Sequence, residues 1–200
     1  MRRALRSLPV TALAVPFWAS VSACNADPVH TDAVNALPAE APGAPAGPYH
    51  RAGQPCLTCH GGEGPASTEF AMAGTVFYGP GTTSSLLGVG NAQVLLEDDT
   101  HSQFTVTTNC VGNFYLKPSD WAGHPQFPVI VRAVAQIGQS TFDSPMQSHI
   151  GRQGSCAGCH AIPTAANLSQ TPGVVHLAPQ DDPTFMGDTT CQVKPALAGN

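Results

Sequence analysis

The central part of the chain alternates apolar and polar positions with the period of two that is typical of β-strands. These runs are separated by Gly, Pro, Asn and Asp residues, which favour turns. Several short strands joined by closely spaced turns predict a small antiparallel β-sandwich over about 68–136. The predicted strands cover 70–78, 92–97, 104–107, 113–116 and 127–134.

Helical patterns are scarce outside this region. The clearest one covers 144–150, where Asp143 is in position to cap the helix and Pro145 falls in its first turn. One further strand is predicted over 174–177, and the C-terminal tail is expected to be irregular. The expected fold class is therefore mainly β, with short helical or loop segments beside the strands.

Residues 1–23 have the pattern of a secretory signal peptide. Arg2, Arg3 and Arg6 precede an apolar run over 8–18, and small residues follow that run. The apolar run is shorter than the roughly 20 residues that a membrane-spanning helix needs. We therefore expect an exported protein from which this segment is removed.

Cleavage is expected beside Cys24. The sequence Val21-Ser22-Ala23-Cys24 resembles the lipobox of bacterial lipoproteins. The resemblance implies that Cys24 becomes the first mature residue and carries lipid, and that Asn25 after it favours the outer membrane. The alternative is an ordinary cleavage that leaves Cys24 as a free thiol, which is a poor choice in an oxidising compartment.

Residues 24–49 show no hydrophobic periodicity and are rich in proline and alanine. A segment of this kind buries too little apolar surface to offset the entropy that ordering costs. We expect a disordered, partly extended tether, in which His30 is a bystander. The folded part is then 50–200, which is one domain by length.

The chain carries few charges, and their balance is acidic. Its 8 Lys and Arg residues stand against 13 Asp and Glu residues, for a net charge of −5 at pH 7. Loss of Arg2, Arg3 and Arg6 with the signal peptide makes the remainder more acidic. A nucleic-acid-binding protein calls for clustered Lys and Arg, whereas an acidic protein attracts basic protein partners.

Two pentapeptides carry the clearest chemistry, Cys56-Leu57-Thr58-Cys59-His60 and Cys156-Ala157-Gly158-Cys159-His160. Both read C-x-x-C-H, the attachment signature of a c-type haem. Two thiols three positions apart can add to the two vinyl groups of one porphyrin, and the next residue gives an imidazole nitrogen to the iron. The predicted attachment residues are Cys56, Cys59, Cys156 and Cys159, and the predicted iron ligands are His60 and His160.

Pairs of C-x-x-C elements also occur in zinc sites, in disulfides and in thioredoxin-like redox sites. Zinc ribbons usually place their two halves about 15–20 residues apart. Here residues 60–155 lie between the two cysteine pairs, and thiol-only sites need no histidine after the second cysteine. The pattern therefore favours two haem c groups over zinc.

With these motifs the chain resembles small multihaem c-type cytochromes in which a β-rich insert separates two haem-binding segments. The resemblance implies covalent haem attachment outside the cytoplasm and electron transfer with redox partner proteins. The insert resembles the transthyretin-like or carboxypeptidase-regulatory-like β-sandwich through Ala73-Gly74-Thr75-Val76, Asn91-Ala92-Gln93-Val94 and 107–115. That fold hosts many functions and carries little weight for activity.

The remaining cysteines predict one disulfide. Of the 7 cysteines, four belong to the haem motifs and Cys24 is assigned to lipid, which leaves Cys110 and Cys191. Two remaining thiols in an oxidising compartment favour a disulfide that pins the C-terminal tail to the middle of the domain. The alternative is two separately buried thiols.

The sixth ligands of the two irons stay open. His50 lies six residues before Cys56, and His149 lies seven before Cys156, so each motif has a histidine ahead of it. Met146 is the alternative to His149, because a helix over 144–150 would place both on one face. The histidines that rank lower are His101, His176 and His124, with His124 beside Trp121 as the reserve.

Two function classes follow from these motifs. Filled iron coordination favours an electron carrier, whereas a haem enzyme or sensor of the peroxidase or reductase type keeps one iron position open. No distal acid–base constellation can be read from the sequence, so no catalytic residue is assigned. A third interpretation, apart from these two classes, is a surface adhesion module in which the haem is incidental.

Overall fold

A computed structural model describes residues 27–40, 44, 46–81, 87–162, 170–187 and 191. The predicted signal peptide 1–23 and Cys24 lie outside the described residues. The described part is mainly β, with two antiparallel sheets and few helices. Its helices are α1 (Pro28–Asn35) and α2 (Leu57–His60), and a 3₁₀ turn covers Cys156–Gly158. Its strands are β1 (Met72–Thr75), β2 (Gln93–Glu97), β3 (Gln103–Thr107), β4 (Asn113–Leu116), β5 (Ile130–Ile137) and β6 (Ser140–Pro145).

The larger sheet has four strands in the order β3-β2-β5-β6, and the smaller sheet pairs β1 with β4. In the larger sheet, Leu96 lies between Phe104 of β3 and Val131 of β5. Along β2 the exposed Gln93 is followed by the buried Val94, and Leu96 is again buried. This alternation puts one face of β2 into the core, as the period of two predicts.

One hydrophobic core joins the two sheets. Met72 from β1 and Leu116 from β4 belong to the same buried cluster as Leu96 from β2 and Ala133 from β5. Phe104 stacks against Trp121 with ring centres 5.7 Å apart, and Trp121 belongs to the same cluster. Both sheets therefore fold as parts of one unit.

The predicted helix over 144–150 is wrong. Residues 140–145 instead form β6, which pairs with β5 through a tight turn that contains Gly138 with φ at +61°. Arg132 of β5 forms an ion pair with Asp143 across the hairpin, and Phe142 packs on the core. Cross-strand pairing outweighs the local capping signal of Asp143, because an extended β5 offers a full row of backbone partners.

The predicted strand over 127–134 is shifted toward the C-terminus, and β5 covers Ile130–Ile137. Pro128 has no N–H to give to a sheet, so pairing begins after it. The predicted strand over 174–177 is reduced to a single parallel bridge between Phe77 and His176.

The segment that the sequence predicts to be a tether contains α1. Asp27 caps this helix by accepting a hydrogen bond from the N–H of Val29 at 2.9 Å, and Pro28 occupies the first turn. The helix packs against α2, and Arg51 donates to the carbonyl oxygen of Pro38 at 2.8 Å. Over Pro28–Asn35 the chain is therefore helical, whereas the sequence predicts an irregular tether. The helix begins at a local cap, which a search for hydrophobic periodicity does not detect.

Cys110 and Cys191 form a disulfide across 81 residues of sequence, with their Cα atoms 5.4 Å apart. This is the pairing that the cysteine count predicts. The bond attaches the C-terminal region to the turn before β4. Within the described residues, no helix is long and apolar enough to cross a membrane.

Candidate functional site

The first C-x-x-C-H segment folds as one helical turn. Cys56 stands at the N-cap of α2, and its carbonyl oxygen accepts the N–H groups of Cys59 at 3.1 Å and His60 at 2.9 Å. Residues three and four positions apart lie on the same face of a helix. Both thiols and the imidazole therefore project from one side, which is the arrangement that one porphyrin with its iron requires.

The imidazole of His60 is held in one orientation. Its Nδ1 donates a hydrogen bond to the carbonyl oxygen of Thr68 at 2.7 Å. Phe70 stacks on the ring with centres 4.2 Å apart, and Tyr115 stacks on Phe70 at 4.7 Å. With the proton on Nδ1, the Nε2 atom of the neutral ring keeps its lone pair, as metal-binding histidines do.

A cavity of about 410 Å³ opens in front of this segment. Its size falls in the range of small-molecule and cofactor sites, and aromatic rings form much of its wall. Lys117 supplies a positive charge at the wall. The lining residues that matter here are Cys56, His60, His50, Phe70, Phe114 and Tyr115.

His50 faces His60 in this cavity, with ring centres 5.9 Å apart. Burial lowers the pKa of His50 from its ordinary value, although Glu40 acts in the opposite direction. The Nδ1 atom of His50 accepts the N–H of Gly47 at 3.0 Å and lies 3.9 Å from a carboxylate oxygen of Glu40. The neutral ring therefore carries its proton on Nε2, unlike His60.

The small sheet positions the segment that carries His50. Thr75 of β1 accepts the N–H of Gly53 at 2.8 Å and donates to the side-chain oxygen of Asn113 at 2.7 Å. The amide of Asn113, on β4, in turn donates to the carbonyl oxygen of His50 at 3.0 Å. Thr75 and Asn113 are buried, so this chain of hydrogen bonds ties the approach to the first motif to the core.

The second C-x-x-C-H segment is attached to the edge of β1. Ala73 donates its N–H to the carbonyl oxygen of Gly154 at 2.9 Å and forms a parallel bridge with Ser155. The carbonyl oxygen of Cys156 accepts the N–H of His160 at 2.7 Å, which closes a turn like that of the first motif. The Nδ1 atom of His160 donates to the carbonyl oxygen of Gly173 at 2.9 Å. Nε2 of His160 is therefore left with a lone pair, as in His60.

The two motifs are neighbours in space. Burial raises the pKa of Cys156 to about 12, and the charge of Cys56 adds to the shift. Burial likewise raises the pKa of Cys56 to about 11. Both thiols are thus protonated at neutral pH. Within the described residues, no group of three or more His, Cys, Asp or Glu side chains is arranged to hold a metal ion.

The structure does not bring Met146 and His149 onto a common helix face, because no helix forms there. The N–H of Met146 donates to Val131 at 2.9 Å beside β5, and the main chain of Ile150 pairs with Val129. His149 lies between these anchors and is exposed. The argument that placed Met146 on the face of His149 therefore does not hold, whereas His149 stays a prediction from its position ahead of Cys156.

His124, the reserve ligand, belongs to a different cluster. Its Nδ1 bonds to the carboxylate of the buried Asp98, and its ring stacks on Trp121 with centres 5.2 Å apart. Burial alone raises the pKa of Asp98, but hydrogen bonds from Thr100, Gln126 and His124 hold it well below its usual range. This cluster stabilises a loop of the β-rich part, and its residues do not line the cavity at the first motif.

Two histidines that the sequence ranks low are placed near the motifs. His30 lies on α1, which packs against α2, and its Nε2 atom is buried without a hydrogen-bond partner in the described structure. His176 follows Gly173, which holds His160, by three residues. By contrast, His101 is exposed beside Glu97. The sequence alone gives little reason to select His176, because the segment that carries it meets Phe77 only in the folded chain.

No protein-family model, curated protein or solved structure matches this chain.

Proposed function

We propose that this chain is a c-type cytochrome that carries two covalently attached haems and transfers electrons outside the cytoplasm. The observation that carries the proposal is the shared local geometry of the two motifs. In each one a single turn gathers two thiols and a histidine, and the Nδ1 atom of that histidine is committed to a backbone carbonyl oxygen. Disulfide or thiol-only zinc elements would need no histidine at this position.

The residues present fit haem attachment. Cys56, Cys59 and His60 would hold the first haem, and Cys156, Cys159 and His160 the second. The haem iron supplies one-electron chemistry when bound. What this chain supplies is the orientation of the imidazoles and the apolar and aromatic wall of Phe70, Phe114 and Tyr115.

His50 is the proposed sixth ligand on the first side. The rings of His50 and His60 line one cavity with centres 5.9 Å apart, so both side chains could contact a haem held there by Cys56 and Cys59. Binding through Nε2 requires the proton of His50 to move to Nδ1, where the carboxylate of Glu40 lies 3.9 Å away.

The proximity of Cys56 and Cys156 supports an electron-transfer role. Each thiol would anchor a different haem, and Cys56 is close enough to Cys156 to contribute to the raised pKa of Cys156. Two redox groups attached at neighbouring points form one electron-conducting unit. The proposed architecture is a small β-sandwich in which β1 lies between the two haem-binding segments.

The remaining parts of the proposal come from the sequence. The chain would be exported, lipidated at Cys24 and anchored to the outer membrane, where redox proteins are its partners. Its acidic balance would attract a basic partner surface. A catalytic role is not part of this proposal.

A haem enzyme or sensor with one open iron position is the second candidate. It is favoured by one observation, the hydrogen bond from Gly47 to Nδ1 of His50, which keeps the proton on the nitrogen that would bind iron. If this bond persists in the holoprotein, the first iron stays five-coordinate.

The deciding experiment is mass spectrometry of denatured protein from a host with haem-maturation machinery, combined with carbon monoxide titration. We expect the mass of two covalent haems and no stoichiometric carbon monoxide binding to the reduced native protein. A mass without haem would remove the cytochrome proposal. Two haems with one carbon monoxide bound per chain would replace the carrier by the enzyme or sensor.

A further inference from the structure

We propose that Tyr115 is the point at which the first haem exchanges electrons with a redox partner, through a stack of rings that runs from His60 through Phe70. This inference rests on the proposed function, because it concerns the haem held by Cys56, Cys59 and His60. It assigns a role to two aromatic side chains that lie outside the C-x-x-C-H motif.

The stack of rings is continuous. The ring of Phe70 lies on the imidazole of His60 with centres 4.2 Å apart and planes inclined by 17°. The ring of Tyr115 lies on Phe70 with centres 4.7 Å apart and planes inclined by 17°. Electron tunnelling weakens more steeply across empty space or solvent than through atoms in contact. Two packed rings therefore link the proposed iron ligand to Tyr115 without a gap.

The last ring of the stack reaches the protein surface. On β4, Phe114 and Leu116 are buried, so Tyr115 between them points away from the core. The residue Tyr115 is 37% exposed, whereas Phe70 is half-buried between Tyr115 and His60. The stack thus begins at a side chain that lines the cavity of the first motif and ends in solvent.

Main-chain hydrogen bonds hold the middle ring in place. The N–H of Phe70 donates to the carbonyl oxygen of His60 at 2.8 Å. The next N–H, that of Ala71, donates to the carbonyl oxygen of Leu116 at 2.7 Å, and Leu116 is the neighbour of Tyr115 on β4. The backbone therefore fixes Phe70 between the end of α2 and β4.

Other places where electrons could leave lack such a stack. Tyr49 precedes His50 and is also 37% exposed, but no ring contact is present for it among the described residues. In the part of the chain that the structure describes, His160 of the second motif has no ring contact either, and its Nδ1 bonds to Gly173. Among these residues, only the first motif has an aromatic connection from its histidine to the surface.

The electron step needs an oxidant, which the test supplies as tris(phenanthroline)cobalt(III). One electron leaves a ferrous haem, which becomes ferric, and cobalt(III) becomes cobalt(II). No bond of the protein is made or broken, and neither ring of the stack is itself oxidised. The positive charge of the complex suits the acidic balance of the chain.

The test measures reoxidation of reduced, full-length holoprotein by this complex in a stopped-flow spectrometer. Every variant carries two haems by denatured mass, and rates are compared at equal driving force after the potentials have been measured. We expect Tyr115→Leu to slow the reoxidation of at least one haem severalfold. Tyr115→Phe should keep the wild-type rate, because the ring remains. Tyr49→Leu is the matched control, since it removes a tyrosine of equal exposure, and it should also keep the wild-type rate.

A wild-type rate in Tyr115→Leu, or an equal slowing in Tyr49→Leu, would overturn the assignment. An equal slowing in Tyr115→Phe would move the role to the phenol hydroxyl and would also contradict the path through the rings. If Tyr115→Leu does not accumulate with two haems, Phe70→Leu replaces it, because it removes the middle ring. A wild-type rate in that variant then counts against the stack. A wild-type mass without haem would instead contradict the proposed function itself, so the two failures are distinguishable.

Discussion

His60, His160 and His176 share one hydrogen-bonding arrangement, in which Nδ1 donates to a backbone carbonyl oxygen. His50 has the opposite arrangement, because Nδ1 accepts the N–H of Gly47. At the scale of single residues, this difference separates rings whose Nε2 keeps its lone pair from one whose Nε2 carries the proton. Glu40 has a buried carboxylate oxygen without a hydrogen-bond partner in the described structure, and this oxygen lies 3.9 Å from Nδ1 of His50, where it could accept a hydrogen bond from a proton on Nδ1.

Gly74 is the residue at which the second motif comes closest to β1. A Cβ atom at this position would lie 2.7 Å from both the Cβ and Sγ atoms of Cys156, and 3.0 Å from Phe114. The φ of Gly74 is not in the left-handed region. The close approach of Cys156 is therefore the reason that glycine is needed here. Cys156 therefore packs directly against the main chain of β1 at Gly74.

We predict that Gly74→Ala lowers the free energy of unfolding by about 1–3 kcal/mol, the usual cost of overpacking a core. It should also reduce attachment of the second haem, because Cys156 is displaced. The matched control is Gly151→Ala, where nothing lies within 4 Å of the added Cβ. Urea unfolding and denatured mass spectrometry of both variants give the comparison. Equal stability and full haem loading in both would contradict this account of Gly74.

At the scale of elements, the pair of β1 and β4 does more than complete the core. It holds the second motif through Ala73 and the approach to the first motif through Thr75 and Asn113. A two-stranded sheet is weak by itself, so its stability comes from the core that it shares with the larger sheet. Changes in this sheet should therefore reach both motifs.

We predict that Thr75→Val destabilises the fold by about 1–3 kcal/mol, because it leaves the buried N–H of Gly53 without its acceptor. Loss of the bond to Asn113 should also loosen the segment of His50 and increase carbon monoxide binding at the first haem. Thr107→Val, at an exposed position of β3, is the control. If chemical denaturation finds the two variants equally stable, the hydrogen-bond chain does not hold this segment.

At the scale of the whole molecule, the short helices, the disulfide and the two motifs gather around one small β-rich core. The disulfide between Cys110 and Cys191 closes 81 residues of sequence and brings the C-terminal region to the turn before β4. The loop that it encloses contains the second motif and His176. Such a bond typically contributes about 2–4 kcal/mol by restricting the unfolded chain.

The proposed anchor is tested on the complete chain. We predict that Cys24→Ser releases the protein from the membrane fraction, because serine offers no thiol for lipid attachment. Asn25→Asp should keep the lipid but shift the protein toward the inner membrane, as the resemblance to bacterial lipoproteins implies. Membrane fractionation with immunodetection checks both variants. If Cys24→Ser partitions like the wild type, the lipid anchor has to be abandoned.

The sequence by itself determined the features that depend on local spacing. The period of two marked β2 and β3, and the spacing within the two C-x-x-C-H motifs requires only one helical turn to gather two thiols and a histidine. The cysteine count also predicted the partner of Cys110 without any structure. These features are local or follow from counting, so no long-range contact is needed to infer them.

Only the tertiary structure decided which distant segments meet. Asp143 and Pro145 carry a local helix signal, but pairing with β5 makes them part of a strand. His149 precedes its motif by seven residues and is exposed, whereas the segment of His176 pairs with Phe77 and bonds to His160 through Gly173. The physical reason is the same in both cases. Backbone pairing between remote segments contributes more than local propensity, and the sequence pattern of either segment does not name its partner.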